Sequence, residues 1–310
     1  MLHAGGRALT AAIRPEVVRE LTLARAPGEP VPAHVSAASG IAAPGAWLYV
    51  VVDDEVGLGV FPREGDAPGR LLALPGEELP NDPVARKKQK PDLEALCVLP
   101  PHEGAPDGAL LGLGSGSAAP RHRGISWALD AHGALRGRAE PVDLSSFYAE
   151  LGRHFAQLNV EGVTVSGDEL LVAQRGNSAE GINAIAVLDL AGVLEALARD
   201  ATIDPGALRA IERHDLPELN GVPATFTDLA ALPDGRVVYT ACAEATDDPV
   251  RDGEFVGAVV GILGADFAPL EPAHKVEGVW PVPDGDRIEL LLVADADDRA
   301  IPAPLLRAAL

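Results

Sequence analysis

Cysteine and positive charge are both scarce in this sequence. The two cysteines, Cys97 and Cys242, each sit in an apolar stretch. They are too few for a disulfide framework or a zinc site, so buried thiols are the expectation. Against 46 Asp and Glu stand 25 Lys and Arg, a formal charge of −21. That balance excludes a broad basic face for nucleic acid or an anionic membrane. The one basic run, Arg86-Lys87-Lys88-Gln89-Lys90, reads as a solvated loop. No window supplies the roughly 18 uncharged apolar residues of a membrane-spanning helix. Met1 to Val18 carries Arg7, Arg14 and Glu16 and lacks the continuous apolar region of a secretory signal. A cytoplasmic protein is therefore expected.

Chemical signatures are also missing. The eight histidines form no His-x-His or His-Glu-x-x-His spacing, which leaves a transition-metal or zincin site without support. Gly112-Leu113-Gly114-Ser115-Gly116-Ser117 has neither the Gly-Lys-Ser/Thr nor the following helix of a phosphate loop. Ser115 and Ser117 lack the Gly-x-Ser-x-Gly frame of a nucleophile elbow. Asp295, Asp297 and Asp298 begin like a calcium loop, but Ala300 stands where an EF-hand needs Gly and Leu306 where it needs Glu. That run reads as a solvated turn or as ligands to an ion at a blade edge.

What the sequence does have is turns and a repeat. Hydrophobic residues make up 47%, with 33 Gly and 27 Pro, the composition of a turn-rich globular chain. One short phrase recurs five times: Ala38-Ser39-Gly40-Ile41, Leu93-Glu94-Ala95-Leu96, Val160-Glu161-Gly162-Val163, Thr227-Asp228-Leu229-Ala230 and Val276-Glu277-Gly278-Val279. After each come apolar residues, a turn containing Gly, and a β-rich run: Trp47–Val52, Ala109–Leu113, Glu169–Ala173, Arg236–Ala241 and Ile288–Val293. Three of the turns are Pro-Asp-Gly, at Pro106, Pro233 and Pro283, and Asp-Gly between apolar runs is a hairpin signal. The phrases lie about 50 to 70 residues apart, room for four strands and their loops. The expected fold is all-β: residues 1–310 form one β-propeller of five four-stranded blades, or six if a long interval hides a degenerate blade. The last interval is completed by the N-terminus, so a strand within Val17–Ala24 should close the ring and remove an open sheet edge. Helical spacing at Leu144, Phe147, Tyr148, Leu151 and Phe155, with Asp143 as N-cap, predicts one short helix. Leu190–Arg199 predicts a second, with another turn at Pro205–Ile211.

Certain motifs resemble bacterial propellers of the esterase-like phytase and SdiA-regulated neighbourhood, and most closely an uncharacterised family within it. They are Lys90-Pro91-Asp92-Leu93-Glu94-Ala95-Leu96, Leu113-Gly114-Ser115-Gly116-Ser117, Gln174-Arg175-Gly176-Asn177, Phe226-Thr227-Asp228, Thr246-Asp247-Asp248, Lys275-Val276-Glu277-Gly278 and Ala294-Asp295-Ala296-Asp297-Asp298. The resemblance implies a calcium-dependent or ester-cleaving propeller, although Ser39 replaces the acid in the first phrase.

First strands of propeller blades line the central channel, which makes Glu94, Glu161, Asp228 and Glu277 the candidate catalytic and metal-binding residues. Carboxylates gathered in a low-dielectric space need a cation, a shared proton or basic partners, and hard oxygen ligands suit calcium. The other reading is that each acid accepts backbone N–H bonds and holds neighbouring blades in register. Lys90, Arg123, Arg175 and Lys275 are the candidate anion-binding residues; they serve equally as ion pairs neutralising the acids. Two functions fit: a calcium-assisted hydrolase of an ester or phosphate ester, or a non-catalytic propeller that binds a small anionic molecule or a protein partner.

Overall fold

Runs of alternating or continuous apolar residues broken by Gly, Pro and Asp fold into strands joined by tight turns, and here every inter-strand pairing within a blade is antiparallel. The computed structural model describes residues 11–25, 32–52, 56–75, 80, 82, 89–245, 253–284 and 287–310. Residues 86–88 of the basic run, Thr246-Asp247-Asp248, and Gly285 of the last turn lie outside them.

The chain enters through β1 (Glu16–Glu20). Blade one contains β2 (Ala38–Ala42), β3 (Trp47–Val52), β4 (Gly57–Pro62) and β5 (Arg70–Ala73). Blade two contains β6 (Leu93–Leu99), β7 (Ala109–Gly114), β8 (Arg123–Ala128) and β9 (Glu140–Asp143). Blade three contains β10 (Val160–Ser166), β11 (Glu169–Gln174), β12 (Ala184–Asp189) and β13 (Leu208–Arg213). Blade four adds a two-residue strand to its four, running β14 (Glu218–Leu219), β15 (Val222–Ala231), β16 (Val237–Ala245), β17 (Glu254–Ile262) and β18 (Phe267–Pro269). Blade five contains β19 (Lys275–Asp284), β20 (Arg287–Asp295) and β21 (Pro304–Ala309), and β1 completes it as the outermost strand, paired to β21. The ring closes as the terminal interval predicts, with five blades rather than six.

The inner strands of successive blades pack on one another around the whole ring: β2 on β6, β6 on β10, β10 on β15, β15 on β19, and β19 on β2. Each interface between blades holds its own hydrophobic cluster, so the core is five wedges. Ile41, Leu96, Val163, Leu229 and Val279, one from each inner strand, all lie in the wedge shared with the preceding blade. Each is at most 2% exposed, and each such side chain contributes about 1.5–3 kcal/mol by leaving water.

A β-bulge interrupts every inner strand near its start, where one extra residue is left without a cross-strand partner. The extra residues are Glu94, Glu161 and Glu277 in blades two, three and five. In blade four the bulge falls between Phe226 and Asp228, so the residue equivalent to the glutamates is Thr227, one position earlier than the repeated phrase predicts. Directly after the bulge three blades have glycine, because the next inner strand passes too close for a side chain. A Cβ at Gly278 would lie 2.3 Å from the Ser39 carbonyl oxygen, and one at Gly162 would lie 2.8 Å from the Leu229 nitrogen.

Two helices interrupt the sheets. The first, α1 (Ser145–Leu151), begins beside Asp143, whose carboxylate accepts the Ser145 N–H at 2.9 Å. The second, α2 (Leu190–Asp200), is capped by Asp189, which accepts the Gly192 N–H at 2.8 Å. Phe147, Tyr148, Leu151, Val193 and Leu197 bury their apolar sides in the wedge between blades two and three. Beyond α2 the expected turn at Pro205–Ile211 is only a single 3-10 turn, Pro205–Ala207; from Leu208 the chain is already β13. Among the described residues no helix is long and apolar enough to cross a membrane.

Candidate functional site

The two ends of the axis differ in chemistry. The inner strands begin at a polar end and finish around a recess of about 470 Å³ lined by Ile41, Val98, Val165, Ala231, Val279 and Trp280.

At the polar end Arg175, just past β11, is the hub. Its Nη2 donates to Glu244 Oε2 at 2.5 Å, Nε donates to Thr225 Oγ1 at 3.1 Å, and Nη1 lies 3.5 Å from Glu161 Oε1 and 3.8 Å from Glu277 Oε2. Lys275 Nζ is 2.7 Å from Asp297 Oδ1, 3.1 Å from Glu244 Oε1 and 3.9 Å from Glu277 Oε1. Glu244 and Glu277 therefore each bridge the two cations, and the four charges alternate around a square. Arg175, Lys275, Glu161, Glu244 and Glu277 are all buried.

Burial raises the pKa of the Glu161 carboxyl to about 7, with Arg175 pulling it down and Asp92 and Glu244 adding to the rise. Burial pushes Glu277 well above the carboxylate range, against the pull of Arg175 and Lys275. On Arg175 and Lys275 burial opposes the charge, but the surrounding carboxylates outweigh it and both stay protonated. Glu161 also accepts the Asn159 side-chain N–H at 2.7 Å. Glu277 Oε2 has no hydrogen-bond partner among the described residues, the kind of group that costs free energy unless a ligand or proton meets it.

A second charged cluster lies nearby. Asp92, held at φ 53°, accepts Ser115 Oγ–H at 2.6 Å and pairs with Lys90 Nζ at 2.8 Å and Arg121 Nη1 at 2.5 Å.

Three expectations change here. Asp228 does not join the acids on Arg175; it occupies the position that is glycine in blades one, three and five, and its two oxygens accept the backbone N–H of Leu229 and, across the blade interface, of Val279, both at 2.8 Å. It locks blade four to blade five. Burial holds its pKa well above the usual range, with the two N–H donors pulling the other way. Arg123 is exposed on β8 and lines a different cavity; Arg121 points to the polar end in its place. Arg175 and Lys275 meet carboxylates of the protein itself, leaving neither free to fork onto an anion. Glu94 stands at the bulge of blade two, half-buried.

Sequence reasoning passed over Glu244 and Asn159, gave Asp92 no role beyond its motif, and read Asp297 as part of an acidic run rather than as a partner of Lys275. An acid at the end of the apolar run Val237–Ala243 was the available signal for Glu244, and the motif residues flanking Lys90 were the signal for Asp92. The Asp295–Asp298 run is chiefly a turn: Asp295 accepts the Asp297 N–H and Asp298 the Ala300 N–H, both at 2.8 Å.

Calcium takes six to eight oxygen ligands. The described residues do not fit it: Asp228 is spent on backbone N–H groups, Glu161 and Glu244 on Arg175, and no group of three or more His, Cys, Asp or Glu side chains among them is arranged to hold a metal ion.

The architecture and this site define a five-bladed propeller with a buried, charge-alternating cluster at one end of its axis. The chain belongs to the family described as "Family of unknown function (DUF6929)", whose model matches residues 34–310. No curated protein matches it at a significant level. Among solved structures it is similar to the glutaminyl cyclase of Myxococcus xanthus, at 10% identity and a TM-score of 0.48, over 96% of this chain and 97% of that one. It is also similar to XC5397 of Xanthomonas campestris, a gluconolactonase, at 15% identity and a TM-score of 0.39, over 88% of this chain and 71% of that one.

Proposed function

We propose that the polar end of the axis is an acid–base site that cleaves a neutral ester, with Glu277 and Glu161 moving the protons. The observation that carries this reading is the buried Glu277 carboxyl, whose Oε2 has no hydrogen bond among the described residues and lies 3.8 Å from Arg175 while its Oε1 lies 3.9 Å from Lys275. A carboxyl group that titrates near neutrality, as Glu161 does at about 7, can take a proton from water and return it to a leaving alcohol at working pH. Arg175 and Lys275 would stabilise the negative charge that develops on the ester carbonyl oxygen. A water-attack route is favoured over a serine nucleophile because Ser115 gives its hydroxyl proton to Asp92 rather than to a histidine. The motif resemblance to ester-cleaving propellers points the same way. Since both hub cations already face carboxylates, a neutral ester suits the site better than a phosphate ester.

The test is a screen of purified protein against short-chain esters, lactones and phosphoesters, followed by Glu277→Gln and Glu161→Gln. Loss of a general acid or base lowers kcat/KM by roughly a hundredfold or more. Turnover that is absent throughout the screen, or equal in both variants and the parent, would overturn the reading. The second reading, a non-catalytic binding propeller, is favoured by the internal neutralisation of Arg175 and Lys275; saturable binding without turnover would establish it.

A further inference from the structure

Outside the axial site, the cavity with the clearest chemical bias lies at the boundary of blades one and two. It measures about 530 Å³, within the range that takes a small organic molecule. Leu74 from blade one and Leu93, Ile125 and Val142 from blade two line it with apolar surface, and His122 and Arg123 bring the cationic and polar edge. Arg123 opens β8, and its cross-strand neighbour is Asp143. An Arg opposite an Asp would ordinarily form an ion pair. Here the Asp143 carboxylate is turned to the Ser145 N–H at the start of α1, and Arg123 forms no ion pair or hydrogen bond among the described residues. The other acid at the rim, Asp200, is paired with Arg199 at 2.6 Å. His122 is held in place by Gly116, whose carbonyl oxygen is 3.1 Å from Nε2, and edge-on by Tyr148, with ring centroids 5.6 Å apart.

We propose that this cleft binds an organic carboxylate with an apolar body, its carboxylate on Arg123 and its hydrocarbon over Leu74, Leu93, Ile125 and Val142. In a chain with 46 acids and 25 bases, a cation whose nearest acid is committed elsewhere selects for an anion. A guanidinium meets a carboxylate with two parallel N–H···O bonds, and the apolar walls add burial that a free inorganic anion could not use. The site is independent of the ester-cleaving reading, since it shares no residue with the Arg175 cluster.

The experiment is calorimetric titration of the full-length protein with octanoate, and with octanol as the uncharged analogue. Octanoate should bind once per chain and octanol at least tenfold more weakly. Arg123→Gln should reduce octanoate affinity tenfold or more, and Arg123→Lys should reduce it less. Ala119→Trp, which fills the mouth of the cleft from an exposed position, should abolish octanoate binding. Both Arg123 and Ala119 are exposed, and an unchanged Tm shows that the variants are folded. No saturable octanoate binding, equal affinity for octanol, or binding that survives both Arg123→Gln and Ala119→Trp would overturn the proposal. The last outcome would place the ligand in another apolar recess, such as the one at the far end of the axis.

Discussion

Arg175, just past the second strand of blade three, donates to Glu244 on the second strand of blade four across 2.5 Å, tying two blades together through a short hydrogen bond. Its other nitrogen faces Glu161 of its own blade and Glu277 of blade five, so one side chain serves three blades. Arg175→Met would leave three buried carboxyl groups without their shared cation. The expected cost is about 3–5 kcal/mol, read as a lowered midpoint in urea unfolding. The loss should be smaller at pH 5 than at pH 8, because protonation relieves the repulsion. An equal loss at both pH values would show that the carboxyls do not depend on Arg175.

The pH dependence of the parent has a defined sign. Burial lifts Glu161 from 4.5 in the free side chain to about 7 in the folded protein. Between these values the folded state holds a proton that the unfolded state has released, and stability therefore falls as pH rises. The contribution of Glu161 is fully present below about pH 4.5 and lost as pH passes 7. Urea unfolding across pH 5 to 8 should show this decline, and Glu161→Gln should lessen it, the remainder coming from the raised Glu277 and Asp228.

Added calcium should leave the melting temperature unchanged, and so should EDTA. A ligand at a hundredfold excess over Kd stabilises by about 2.7 kcal/mol, easily seen by scanning calorimetry. A reproducible rise with millimolar calcium would mean that an ion enters the acidic cluster after all.

Gly278→Ala should destabilise the ring closure between blades five and one by about 1–3 kcal/mol, the usual range for overpacking, because its Cβ would press on the Ser39 carbonyl oxygen. Ala95→Gly, at the equivalent position of blade two, removes a fully buried methyl from the core between blades two and three and should cost about 0.5–1 kcal/mol in the same assay.

The fold was readable because propeller blades repeat both hydrophobic alternation and turn chemistry. The five predicted β-rich runs coincide with β3, β7, β11, β16 and β20 to within a few residues. The site was only partly readable. The phrase aligns Asp228 with the glutamates by residue type, but the bulge common to all five inner strands puts Thr227 at that position and Asp228 at the one that is glycine in blades one, three and five. Matching on the acid shifts blade four by one residue, and one residue is enough to send a carboxylate to backbone N–H groups. Glu244 and Asp92 escaped because they belong to no repeated phrase; their partners are set by tertiary proximity across blades. For the cations, the reading as internal ion pairs describes Arg175 and Lys275, while Arg123 opens β8 and lines a different cavity.

The strand that seals the ring has a consequence for biosynthesis. Among the described residues β1 pairs only with β21, and Arg19 on it is clasped by the carbonyls of Pro62 and Gly65 and lies over the Phe61 ring of blade one. On the ribosome, β1 emerges before the other twenty strands of the described residues and must wait for β21, the last of them. Until β21 leaves the exit tunnel, β20 keeps an unpaired edge and the ring stays open. The strand made last is therefore also the one that seals blade five, and a chain stalled before β21 would leave β1 without its partner and β20 with an open edge.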